Sequence, residues 1–171
     1  MDTFLTIASK RDWRRYADRP LEEGVSERVL DAARLAGSAM NRQPWRFVVV
    51  ESDETRGRIA EAVYAGDNIR TAAFVVAIVT PAGGPWSRFD AGRAMQNMML
   101  AAWNEGVVSC PNGPADAEAA RAALGAGDDE DVAVVVSLGY PTRDLRPEGR
   151  SAEDWSAEAN RNALDQIVRR I

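Results

Sequence analysis

The chain contains no histidine and a single cysteine, Cys110, and these two gaps exclude a good deal of chemistry. Without histidine there is no Ser-His-Asp or Cys-His relay, and no zinc site of the usual His-bearing kind. One cysteine allows neither an internal disulfide nor a C-x-x-C redox pair, so any redox chemistry must be carried by a bound cofactor. Lysine is nearly absent too: of 21 basic residues only Lys10 is a lysine. That ratio carries no chemical reading, but individual arginines matter because their planar fork suits phosphate. No basic segment followed by an apolar stretch succeeds Met1-Asp2-Thr3, so no signal peptide is evident and a cytoplasmic location is expected. The longest apolar run, Ala72 to Val79, is about eight residues against the ~20 that span a bilayer, so no membrane association is expected. A net charge of −5 and a pI near 4.9 argue against a nucleic-acid partner.

What is present suits a globular protein. The 171 residues, 46% hydrophobic and 27% charged, fit a single domain (1–171) with a substantial core, or one protomer of a compact dimer. The acidic run Asp128-Asp129-Glu130-Asp131 has no second oxygen-rich segment at motif spacing; it reads as a solvated loop, and no metal is expected. Cys110 reads as a small buried residue, and Met95, Met98 and Met99 as core or dimer packing.

Periodicity gives an order of elements. Helices are expected over 2–10, over 26–36 with Ser26 as cap, over 54–64 with Asp53 as cap, over 89–105 and over 115–124. Strands are expected at Trp45–Val50, at Ala72–Thr80 as a buried central strand, at Val107–Cys110 and at Asp131–Leu138. Gly37 to Asn41 reads as a loop, Pro81 to Pro85 as a break, and Pro111-Asn112-Gly113-Pro114 as a tight turn. Thr142 to Arg161 is polar without a core pattern, and a tail of that kind is expected to reach across a partner. The mixture of helices and short strands is an α+β pattern.

Four segments, in order, resemble the nitroreductase family. Lys10-Arg11-Asp12-Trp13-Arg14-Arg15-Tyr16 is similar to its R-R-S-x-R-x-[FY] opening. Ser38-Ala39-Met40-Asn41-Arg42-Gln43-Pro44-Trp45-Arg46-Phe47 is similar to S-x-x-N-x-Q-P-W-x-F, the most specific piece. Asp90 to Ala102, with Gly106 and Ser109-Cys110-Pro111, looks like the long central helix and the turn beyond it. Leu138-Gly139-Tyr140-Pro141 and Arg161 to Val168 resemble the family's closing segments.

The resemblance implies an α+β fold with a central mixed or antiparallel sheet flanked by helices, an intertwined homodimer, and residues 142–171 as an extension reaching across it. It implies FMN as cofactor, NADH or NADPH as reductant, and a small conjugated acceptor such as a nitroaromatic or quinone. Lys10, Arg11 and Arg161 match positions that hold the FMN phosphate, through strong charge-assisted bonds. Arg14 matches a position facing the pyrimidine edge, where a cation stabilises the charge of the reduced ring. Ser38, Ala39 and Asn41 match a loop contributed by the other protomer. Pro111, Asn112 and Gly113 match the turn whose backbone approaches the flavin N5 edge, and Asn68 lies near a position that touches the ring. No side chain need act as acid or base: hydride arrives from the nicotinamide and leaves to the acceptor in ping-pong order, and the protein supplies position and electrostatics.

Two departures stand out. Asp12 replaces a common serine and puts a carboxylate beside the phosphate position; similar R-D openings occur in flavin-fragmenting relatives. A flavin-modifying or deazaflavin-linked oxidoreductase, and a non-catalytic flavin-binding protein, are therefore alternatives. The short link between the Ala72–Thr80 strand and the next helix implies a reduced lid and an open substrate slot, with Trp86 as a candidate stacking wall. If Arg161 holds the phosphate, Arg161→Ala weakens FMN binding by about 1.5–3 kcal/mol, the range for a hydrogen bond to a charged group. A flavin-fluorescence titration measures this, and unchanged affinity removes Arg161 from the phosphate site.

Overall fold

The computed structural model describes residues 1–84 and 86–171. In chain order they form α1 (Thr3–Ser9), α2 (Val25–Arg34), a 3-10 turn (Ala39–Asn41), β1 (Arg46–Val49), α3 (Asp53–Ala62), α4 (Asp67–Thr71), β2 (Phe74–Pro81), α5 (Ser87–Asn104), β3 (Val108–Asn112), α6 (Ala117–Leu124), β4 (Glu130–Gly139), a second 3-10 turn (Pro147–Gly149), α7 (Ala152–Ala157) and α8 (Leu164–Ile167). Two compact units result: Met1–Lys10 with Leu145–Ile171, and Arg11–Asp144. Among the described residues no helix is long and apolar enough to cross a membrane.

In the larger unit the strands form one antiparallel sheet in the order β1-β2-β4-β3. The expected central strand is indeed internal, and β4 lies beside it. Side chains alternate across the sheet. Val76, Ile78, Val136 and Leu138 join Val29 of α2 and Met98 of α5 in one apolar core. The alternate residues, among them Val75, Val135 and Ser137, are buried on the side of α3, α4 and α6. Helices α2 and α5 run antiparallel. Arg28 near the start of α2 pairs with Glu105 just beyond α5, and the end of α2 leads to Ala39, which bonds Asp90 at the start of α5. Ala91, Ala94 and Ala102 on the buried face of α5 are fully covered, which is how an 18-residue helix lies close against its neighbours.

Several boundaries differ from the sequence expectation. Gly24, at φ 78°, caps α2; Ser26 lies inside the helix and its hydroxyl donates to Glu27. Ser52 rather than Asp53 caps α3, accepting the Thr55 N–H at 3.2 Å. The short helix α4 has no sequence counterpart, because five residues carry too little periodicity. Strand β3 continues through Pro111 and Asn112, since Asn112 still has Val135 opposite it; the tight turn expected over 111–114 does not form, and Pro114 instead bridges to Val63. Of the expected break at Pro81–Pro85, Pro85 lies outside the described residues.

The smaller unit packs α7 and the second 3-10 turn against α1. Asp2 caps α1, and Ser151 with Asp154 forms a capping box on α7. Trp155, half-buried, donates its indole N–H to the Pro147 carbonyl at 2.9 Å. Residues 145–159 thus find partners within their own chain, which the polar composition had not suggested. Every residue from Asn160 onward is exposed, including Leu164 at 74% and Ile167 at 63%.

The 11–17 segment is tied to the end of the sheet. Trp13 donates its N–H to the Ser109 carbonyl at 2.9 Å, and Ala17 to the Tyr140 carbonyl at 2.8 Å. Gly139 makes room: a Cβ there would stand 2.9 Å from the Tyr16 side chain. The Tyr16 hydroxyl lies 2.8 Å from Ser137 Oγ and 2.9 Å from the Trp13 carbonyl oxygen. Burial pushes this phenol well above its ordinary value. Tyr16→Phe leaves these partners short of a bond and should cost about 1–3 kcal/mol in urea unfolding. The unfolded phenol ionises near pH 10 while the folded one keeps its proton, so the folded state loses stability as pH rises past about 10. That alkaline loss should be smaller in Tyr16→Phe; an identical pH dependence would remove Tyr16 as its source.

Candidate functional site

A groove of about 570 Å³ opens where the start of β3, the end of β4 and α4 meet, lined by Arg14, Arg15, Tyr16, Asn68, Thr71 and Thr142, among others. This volume falls inside the ~300–1,000 Å³ range of small-molecule sites. A shallower recess continues past Asp12, Trp13 and Arg143. Arg14 and Arg15 are exposed, and among the described residues neither forms an ion pair. Their guanidinium charge is therefore directed to solvent or to a ligand. Arg143 covers the Trp13 ring, its guanidinium carbon 5.0 Å from the centroid.

Beneath the groove lies a buried polar network. Asn68 and Asn112 are each only 2% exposed. Asn112 Nδ2 donates to the Cys110 carbonyl at 3.0 Å and to the Val135 carbonyl at 3.2 Å, while its Oδ1 accepts from Asn68 Nδ2 at 3.0 Å. Ser137 Oγ in turn donates to Asn68 Oδ1 at 3.1 Å and stands beside the Tyr16 hydroxyl. These bonds fix which way the Asn68 amide faces. Its second N–H finds no protein acceptor among the described residues, so Asn68 presents a donor at the wall of the groove. The Asn112 side chain, by contrast, is consumed by the interior, and the register that sets Pro111 opposite Val136 turns the Asn112 N–H to the Val135 carbonyl as well.

Gly113, just past β3, is exposed; a Cβ there would meet nothing nearer than the Tyr64 ring at 3.7 Å. The fold itself does not demand glycine at this position. Its openness suits close approach by something outside the chain. Pro111 has no N–H to offer and that of Asn112 lies in the β3–β4 ladder, so the backbone donor this segment can turn outward is that of Gly113.

Ser38, Ala39 and Asn41 lie elsewhere. Ala39 donates its N–H to Asp90 Oδ2 at 3.0 Å, and Ser38 Oγ accepts the Gln43 N–H at 2.8 Å. This loop sits at the N-terminal end of α5, whereas the groove sits near its C-terminal end, where Gly106 turns the chain into β3. From Asp90 to Asn104 the helix spans roughly 20 Å at 1.5 Å per residue. One chain therefore does not bring these two groups together. Within the larger unit, Arg11 is half-buried and Asp12 lies against Ser109 as a parallel bridge. Lys10 caps α1 in the smaller unit, where Arg161 is exposed and bonds the Ala159 carbonyl at 3.0 Å. Sequence reasoning missed Asp90 and the Tyr16–Ser137 pair. The signal for Asp90 was a carboxylate opening the long helix; Ser137, inside an apolar run, gave none.

The donor set fits an anionic, flat heterocycle: open guanidinium groups, an oriented amide and an unobstructed backbone edge. Comparisons agree. A sequence profile of the Nitroreductase family matches residues 7–66 and 63–140. A protein of Archaeoglobus fulgidus, provisionally named NADH dehydrogenase/NAD(P)H nitroreductase, is 36% identical over 146 residues, covering 79% of this chain and 83% of its own. The crystal structure of a nitroreductase family protein from Clostridium difficile 630 superposes with a TM-score of 0.82 at 25% identity, covering 99% of this chain and 98% of that one. An FMN-dependent nitroreductase from Clostridium difficile R20291 superposes with a TM-score of 0.76 at 22% identity, over 82% and 88% of the two chains. With most of its length matched in sequence and fold alike, this chain belongs to the nitroreductase family.

Proposed function

We propose that the protein is a homodimeric, FMN-dependent NAD(P)H oxidoreductase that reduces nitroaromatics, quinones or similar small conjugated acceptors. The observation that carries this reading is the separation of two site halves along α5. The Arg14–Asn68 groove lies at one end and the Ser38–Asn41 loop at the other, each locally built and oriented. A second copy, related by a two-fold axis, would set its Ser38–Asn41 loop against the first copy's groove and complete two equivalent sites. Several features support such a pairing. Phe89, 60% exposed, and Gly92, with nothing within 4 Å of an added Cβ, form an open strip on the outer face of α5. A glycine inside a helix costs about 1 kcal/mol relative to alanine unless something approaches closely. The exposed apolar residues Leu164 and Ile167 give the 142–171 extension a face to lay across a partner.

In this reading Arg14 faces the pyrimidine edge, Asn68 donates to the ring, and the Asn112–Gly113 backbone borders the flavin's reactive edge. Lys10, Arg11 and Arg161 would hold the phosphate. FMN, when bound, supplies the two-electron chemistry that no side chain of this chain can supply. Arg14 favours negative charge on the ring, Asn68 and Gly113 fix its plane, and the partner's loop with Trp86 walls the substrate slot. Trp86 is 59% exposed and stands at the loop end of α5, so it would border the partner's flavin rather than its own.

The decisive measurement is the visible spectrum of the purified protein before and after anaerobic NADH or NADPH, with its mass in solution. A yellow dimer bleached by either donor is expected. A yellow protein inert to both points to the flavin-binding alternative, and a colourless protein that takes up no added FMN overturns the reading.

A further inference from the structure

The Ser38–Asn41 loop is held in an unusual backbone shape. Met40, Asn41 and Gln43 have φ of 50°, 54° and 51°, three non-glycine residues in the left-handed region within four positions. Asparagine tolerates that region; methionine does so at a cost of about 1 kcal/mol or more. Such strain persists only where the surroundings over-determine it, and it gathers at ligand-binding segments. Internal bonds supply part of the restraint: Asn41 donates its N–H to the Ser38 carbonyl at 3.0 Å, and Gln43 Nε2 donates to the Asn41 carbonyl at 3.3 Å.

The external restraint is Asp90. This carboxylate is 2% exposed, in the first turn of α5, where the helix dipole favours negative charge. One oxygen accepts the Ala39 N–H at 3.0 Å; the other stands 3.8 Å from Arg93 Nη1. Arg93 passes over Gly37 so closely that a Cβ there would collide with its guanidinium. Asp90 and Arg93 thus seat both ends of the Gly37–Ala39 entry to the loop on α5. A buried carboxylate with a hydrogen-bond donor on the loop and a cation on its own helix is more than a helix cap, since it fixes the loop to the long helix packed in the core.

We infer that Asp90 is a positioning residue that acts in trans: it holds the Ser38–Asn41 loop of its own chain in the shape that completes the flavin site of the partner copy. This rests on the shared-site dimer proposed above. It differs from a structural role in one consequence: a defect at Asp90 damages the neighbour's site and leaves its own chain's groove intact.

Subunit mixing tests this. Asp90→Ala is expected to weaken FMN binding by tenfold or more, the loss expected when a hydrogen bond to a charged group is removed. Asp90→Asn, which keeps a carbonyl oxygen for Ala39, should retain most of the affinity. Dimers carrying Asp90→Ala on one chain and Arg14→Ala on the other are isolated with two affinity tags and titrated with FMN by fluorescence quenching. In trans, both defects fall on the same site, so each mixed dimer keeps one FMN site of wild-type affinity. In cis, every site carries a defect and no wild-type site remains, which overturns the inference. Ala39→Pro provides a second variant should Asp90→Ala fail to fold. It deletes the same N–H at the first residue of a 3-10 turn, after an extended Ser38 (φ −135°, ψ 160°), where proline is sterically welcome. The same mixing pattern is expected of it. Wild-type protein that binds FMN as a monomer refutes the shared-site reading itself, and this inference with it; where Asp90→Ala/Arg14→Ala dimers lack an intact site, an Asn41→Ala/Arg14→Ala dimer that keeps one refutes the role of Asp90 alone, and one that keeps none refutes the shared site.

Discussion

Helix α5 sets the distance on which every functional statement about this chain depends. Its buried face of alanines and Met98 fixes it against α2 and the sheet, so it cannot bend to bring its ends together. At one end it carries the carboxylate that seats the Ser38–Asn41 loop; at the other it delivers the chain into β3, beside the Arg14–Asn68 groove. A site that needs both ends needs two helices. In the proposed shared site, the core packing that stabilises the single chain is the same constraint that leaves one chain with half of the cofactor site. Assembly is then a geometric requirement of the proposed chemistry rather than an addition to it.

Polar groups around the groove divide into two classes. Asn68, Asn112, Ser137 and Tyr16 are buried and largely spend their hydrogen bonds on one another and on backbone carbonyls. Buried groups of this kind contribute rigidity and orientation, since each unmet bond would cost about 1–3 kcal/mol. Arg14 and Arg15 are exposed and carry charge that the protein does not neutralise locally. In the proposed site the first class would prepare a surface of fixed geometry, and the second would supply the electrostatic attraction. Their separation matters: a guanidinium tied into the buried network would lose the freedom to meet an anion, and an asparagine left in solvent would not hold one orientation.

Much of this was legible in the sequence, and for physical reasons. The central strand announced itself as an unbroken apolar run, because burial on both faces leaves no room for alternation. The long helix was visible from small residues at helical spacing, and its stop from Gly106, which adopts φ 72°. Cap positions were read one or two residues late at Ser26 and Asp53, since several residues near a helix start can accept an N–H and only the backbone angle selects one. Strand β3 was read short because proline at 111 ends most strands; here it is the last residue but one, where the missing N–H costs little. The segments carrying Arg14 and Asn41 were evident from residue type and order. Their placement at opposite ends of one helix was not, because spacing along a chain does not reveal which distances the fold closes. Asp90 could be read as a carboxylate opening the long helix, but its partner could not, being a backbone N–H 51 residues away.

Sharing a site between copies has an energetic consequence. A ligand that binds only the assembled form stabilises that form by mass action, so cofactor binding and chain association become linked equilibria. In an arrangement of this kind the strained Met40–Gln43 backbone is affordable only while Asp90 holds it, and its shape is useful only when a partner's groove is present to receive it. In the proposed dimer the loop, the helix that seats it and the groove it faces would therefore constrain one another across two chains. The chain's lack of histidine and its single buried cysteine fit that proposal, in which the protein's part is geometry and charge, held by the long helix and completed by a second copy.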